Sequence, residues 1–118
     1  MPRQKAVVSD EKQLTVKTNI IKRMVKEVEH YKAETIENEE RIEKMKRDGK
    51  DFYDLKKANE VLEETKMMIP DSKRRLDEAL DELELLLETV GHKPQVQEAV
   101  CFSEAKRYID HRDTLISK

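Results

Sequence analysis

Six apolar residues, Leu55, Leu62, Ile69, Leu76, Leu83 and Val90, recur every seven positions without a slip. Such a repeat marks a helix seam, because every seventh side chain of a slightly under-wound helix returns to the same side. Pro70 sits in the middle of it. A proline inside a helix removes one backbone hydrogen bond and clashes with the carbonyl four residues back, here Lys66, at about 3 kcal/mol. It also pushes the preceding residue, Ile69, away from helical dihedrals. Taken alone, Met67-Met68-Ile69-Pro70-Asp71 would end a helix. A stop and restart would give the phase no reason to survive, so the spacing predicts one continuous helix, kinked at Pro70.

The first half of the chain repeats in the same way. Leu14, Ile21, Val28, Thr35 and Ile42 form one line, and Met24, Tyr31, Asn38 and Met45 follow three residues behind it. These are the two seam positions of a heptad pattern, which Val25 widens. Thr35 and Asn38 interrupt the seam at one level, which reads either as a register device or as a locally thin core. Asp10 with Gln13 has the spacing of a capping box. Gly49 ends this helix, with Lys46 and Arg47 in its last turn. Asp51 caps the next helix. The connection between them is short, so the second helix must run back antiparallel. Its companion seam positions, Ala58, Thr65, Ser72, Ala79 and Leu86, are mostly small, and Leu80 and Leu87 broaden the apolar face. Gly91 closes it and Pro94 opens a third helix.

The fold class expected is all-α: an elongated antiparallel three-helix bundle with coiled-coil-like seams, its helices covering about 10–47, 52–90 and 95–116. Residues 1–9 are expected to be a flexible N-terminal arm, and 10–118 a single domain. A monomer is the first expectation, since three helices can close their own seams. The looser third helix leaves a dimer open.

Charged residues make up 42% of the chain and aromatics 4%, the composition of long helices. The net charge of −2 divides into +3 over residues 1–47, 0 over 48–76 and −5 over 77–118. That distribution offers no concentrated basic face for nucleic acid. The longest apolar run is Leu85-Leu86-Leu87, too short to span a bilayer. Met1 to Val8 lacks the apolar core of a signal peptide. The single cysteine, Cys101, permits no internal disulfide, which fits a reducing compartment. The expectation is a soluble cytoplasmic protein without a membrane contact.

Chemistry is hard to place on such a chain. Glu27-Val28-Glu29-His30 has the Glu-x-x-His spacing of di-iron bundles, but those sites need a second such pair and two more glutamates. Cys101, between apolar neighbours, reads as a small hydrophobe rather than a reactive thiol. Two isolated glycines cannot form a phosphate loop. No catalytic residue, cofactor or metal is expected, and the chain reads as a non-enzyme. The acidic block Asp77, Glu78, Asp81, Glu82, Glu84 and Glu88 reads first as a solvated face and second as a binding face. Met68, beside the seam, suits core filling; Met67 and Tyr53 point outward and suit surface contact.

Several ordered stretches resemble the tubulin-folding cofactor A (tubulin-specific chaperone A) family. They are Val16-Lys17-Thr18, Ile20 to Glu27, Arg41 to Lys46, Tyr53 to Lys57, and above all Met67-Met68-Ile69-Pro70-Asp71 with Arg74-Arg75-Leu76. The resemblance covers about residues 14–88 and thins in the third helix, where only Glu104-Ala105-Lys106 is similar. It implies capture of near-native β-tubulin after chaperonin release and its passage towards αβ-tubulin assembly, alongside other tubulin-folding cofactors, in the cytoplasm and cytoskeleton. Tubulin is acidic, so exposed cations off the seam are sensible contacts. The partner-binding residues expected in the matched stretches are Lys22, Arg23 and Lys26 on the first helix, and Tyr53, Asp54, Lys57, Met67, Arg74 and Arg75 on the second. Either arginine of the last pair could instead bridge to Asp71. The competing reading is a coiled-coil spacer or assembly adaptor, which periodicity alone does not separate from a chaperone.

Overall fold

The computed structural model describes residues 8–117; residues 1–7, most of the expected arm, lie outside them. Among the described residues every regular element is an α-helix: α1 (Asp10–Arg47), α2 (Phe52–Val90), α3 (Pro94–Gln97), α4 (Phe102–Asp110) and α5 (Arg112–Ile116). α2 runs through Pro70 without a break, as the preserved heptad phase requires.

The helix ends follow from local chemistry, with one correction. Ser9, not Asp10, caps α1: its Oγ accepts the Lys12 N–H at 3.2 Å, and the Gln13 side chain donates to the Val8 carbonyl. The hydroxyl one residue earlier reaches the third helical N–H, which leaves the Asp10 carboxylate for Lys93 at 2.7 Å. At the other end Gly49 adopts φ +71°. The Gly49 and Lys50 N–H groups then bond back to the Lys46 and Met45 carbonyls, at 3.1 and 3.0 Å. This is a Schellman closure, and it needs a left-handed residue at Gly49. Gly49→Ala is expected to cost about 1 kcal/mol in a denaturation curve, with no steric conflict, since an added Cβ meets nothing within 4 Å. Asp51 caps α2 as the sequence suggests, accepting the Asp54 N–H at 2.8 Å.

Two compact units divide the chain: residues up to Arg23 with those from Leu76 onward, and Met24–Arg75. The first unit holds the heavy core. The largest fully buried side chains, Leu14, Thr18, Ile21, Leu76, Leu80, Leu83 and Val96, all belong to it. Here the third segment departs from expectation. In place of one helix over 95–116 there are three short ones, α3 to α5. The reason is angular. Val96 and Ala105 are both fully buried, yet nine residues at about 100° each place them on opposite sides of a continuous helix. The turn at Glu98–Cys101 turns the buried face, and leaves Val100 fully exposed.

The second unit is an α1–α2 hairpin with a thinner interior. Val28, Ile42 and Leu62 are buried, but so are the polar Thr35, Asn38, Thr65 and Ser72. Leu55 and Ile69, both on the seam, are only half-buried. Asn38 donates to Thr65 Oγ1 at 3.3 Å, while the Asn38 carbonyl oxygen accepts from Arg41 at 3.3 Å. Glu27 meets Arg75 at 3.0 Å. Partners on α2 fall in number as those on α1 rise, so the two helices are antiparallel here. The polar level at Asn38 is therefore a cross-helix hydrogen bond and not an empty one.

Candidate partner-binding surface

The expected contact residues sit outside the seams, as their heptad phase requires. In the first unit Lys22 and Arg23 are exposed on α1; in the second, Lys26 is exposed too. Tyr53 is 64% exposed near the start of α2, with the Lys57 ammonium 5.5 Å from its ring centroid. Asp54 lies beside it, also exposed. Met67 is 70% exposed whereas Met68 is half-buried, the division that the seam phase predicts. Neither Lys22 nor Tyr53 is committed to a buried contact, so both remain available to a partner.

The two arginines differ from one another. Arg74 is exposed and lies 2.9 Å from Asp71 Oδ1. Arg75 is half-buried, bridging Asp71 at 3.4 Å and Glu27 at 3.0 Å. Asp71 thus takes both, and Arg75 also ties α2 to α1. Glu27 spends its carboxylate on that tie, and His30 lies 3.5 Å from Glu34. Among the described residues no group of three or more His, Cys, Asp or Glu could hold a metal ion. Cys101 is half-buried with Sγ 3.5 Å from Thr15 Oγ1.

Two features escaped sequence reasoning. The first lies in the acidic block. Arg112 inserts its guanidinium among Asp77, Asp81 and Glu84, at 2.6 Å from Asp77 Oδ1 and 2.9 Å from Glu84 Oε2, and also donates to the Asp77 carbonyl at 3.0 Å. Hydrogen bonds that Arg112 donates to Asp77 and then Asp81 raise its pKa above the ordinary value, against the opposing effect of burial. A raised cation pKa stabilises the folded state at every pH below the unfolded value. Arginine's unfolded value is far above neutrality, so at neutral pH the stabilisation is present in full. The block therefore receives the chain's own C-terminal segment. The stripe is readable in the sequence, since positions 77, 81 and 84 recur at helical spacing; its partner, Arg112, is not. The second feature is Phe52, 80% exposed at the first position of α2. It lies one turn before Leu55, and both line a groove of about 740 Å³ in the second unit.

Among the described residues no helix is long and apolar enough to cross a membrane. The chain can bind by shape, charge and exposed apolar groups. A family profile described as Tubulin binding cofactor A matches residues 9–109. Human tubulin-specific chaperone A is 40% identical over 99 residues, covering 84% of this chain and 89% of that protein. The crystal structure of tubulin folding cofactor A from Arabidopsis thaliana superposes with a TM-score of 0.66 at 33% identity, covering 83% of this chain and 96% of that one. The structure of human tubulin chaperone cofactor a does so with a TM-score of 0.68 at 37% identity, covering 89% and 99%. With a matching profile across both long helices and the same helical fold in two solved relatives, the chain belongs to the tubulin binding cofactor A family.

Proposed function

We propose that this protein captures near-native β-tubulin after its release from the chaperonin, shields it and passes it towards αβ-tubulin assembly, together with other tubulin-folding cofactors. It acts in the cytoplasm as a monomer, by binding and without catalysis. Family membership carries this reading. The exposure of Lys22, Arg23, Lys26, Tyr53, Asp54, Lys57, Met67 and Arg74 supports it, since exposed cations beside an aromatic and a methionine suit an acidic partner with apolar contacts. Arg75 contributes less directly, because half of its role is the bridge to Glu27. In this reading the missing N–H of Pro70 bends α2 and shapes the face that presents Met67 and Arg74.

The test of the surface is a pair of multiple variants. Lys22→Ala with Arg23→Ala and Lys26→Ala should weaken capture of purified β-tubulin and leave the melting temperature unchanged, because exposed positions usually matter within about 0.5 kcal/mol. Arg74→Ala with Arg75→Ala should also weaken capture, and here stability should fall by up to about 1 kcal/mol through the lost Glu27 pair. Salt should matter less to the residual binding in both. Full-strength capture by both folded variants would remove these cations from the interface.

A further inference from the structure

The groove in the second unit is open, partly apolar and electrically two-ended. Phe52 and Leu55, one turn apart on α2, give it an apolar floor, and Lys46, Lys56, Glu60 and Glu64 also line it. By the antiparallel register that joins Asn38 to Thr65, Lys46 stands near the Lys56 end. Lysines therefore lie at one end and glutamates towards the other. An aromatic left 80% exposed forgoes most of a large burial term.

The first unit shows how α1 and α2 accept a third helical layer. There α3 to α5 bury Val96 and Ala105, and Arg112 settles on a stripe of carboxylates along α2. The second unit consists of the α1–α2 hairpin alone. We propose that this groove seats a short amphipathic helix of the bound β-tubulin, an inference that rests on the function proposed above. An apolar side chain packs on Phe52 and Leu55, an acidic one meets Lys46 and Lys56, and a basic one meets Glu60 and Glu64. This is helix-in-groove recognition, with apolar anchors for affinity and charges for direction. A second copy of the chain could match the same two-ended charge. However, Phe52 to Glu64 spans only about 20 Å of helix roughly 10 Å wide, well short of the ~800 Å² per partner of a stable interface.

The test uses the full chain and purified β-tubulin released from the heterodimer. Phe52→Ser should weaken capture about tenfold or more, the effect of losing an aromatic anchor. Its melting temperature should not move, since Phe52 is exposed. Asn59→Trp, which fills the groove from an exposed position, should give the same loss without removing an apolar group. Lys46→Glu with Lys56→Glu should weaken capture and flatten its salt dependence. Native-strength capture by all of these variants overturns the groove and leaves the proposed function standing. No capture by the unaltered chain overturns both. A concentration-dependent dimer of the free chain that Phe52→Ser dissolves assigns the face to a second copy and also overturns the inference.

Discussion

Leu76→Ala is expected to lower stability by about 2–5 kcal/mol, the range for truncating a well-packed leucine. Leu76 is fully buried six residues after Pro70, in the unit that holds every one of the largest fully buried side chains. Its neighbours on the α2 face, Leu80 and Leu83, are equally covered. Removing three carbons there leaves a void that rigid helix backbones close only in part. The same change at half-buried Leu55 should cost distinctly less, because water already reaches that position. Urea denaturation of the two variants measures the contrast. Equal costs would mean that the two units are packed alike, against the burial pattern described.

Arg112→Ala is expected to cost about 1–3 kcal/mol, the scale of hydrogen bonds to charged groups whose partners are left behind. The guanidinium side chain is only 19% exposed and joins three carboxylates of α2 to the C-terminal segment. Its removal also leaves Asp77, Asp81 and Glu84 to repel one another at helical spacing. The carboxylates themselves remain partly hydrated, which keeps the cost below that of a fully buried pair. Loss should be local: hydrogen exchange should rise across α4 and α5 while α1 from Met24 onward stays protected. Added salt should narrow the difference between variant and parent, since it screens the repulsion. A global loss of protection would make Arg112 part of the core and not a tie at its edge. Arg112→Lys should rescue only in part, because a single ammonium nitrogen cannot reproduce the bonds that three separate guanidinium nitrogens make to Asp77, Asp81, Glu84 and the Asp77 carbonyl.

The two long helices were legible because their burial is periodic. Leu14, Ile21, Val28 and Ile42 on α1, and Leu62, Leu76, Leu83 and Val90 on α2, are buried as their seven-residue spacing requires. A repeat that long overrides the local preference of Pro70 to end a helix. The third segment lacked such a repeat. Val96 and Ala105 are out of phase by about half a turn, and burying both breaks the segment into α3 to α5. The cap of α1 slipped by one residue because Ser9 and Asp10 are both competent caps; the Lys93 contact that claims Asp10 is 83 positions away. At the candidate surface the heptad phase separated outward Met67 from inward Met68. It could not foresee that Arg75 would be held by Glu27, 48 residues distant. The acidic block followed the same rule. Its partner, Arg112, lies 28 to 35 residues away, a distance at which spacing carries no information. Phe52 lies off both seam lines of α2, so the heptad pattern assigns it no role, and the structure leaves it 80% exposed.

The most direct measurement is the mass of the complex formed when this protein is mixed with αβ-tubulin heterodimer under conditions that release β-tubulin, read by gel filtration with light scattering. One chain should bind one β-tubulin, with no α-tubulin in the peak and no added nucleotide beyond that already on the tubulin. Elution of this chain alone, or of a complex that retains α-tubulin, would contradict it and favour a spacer or adaptor.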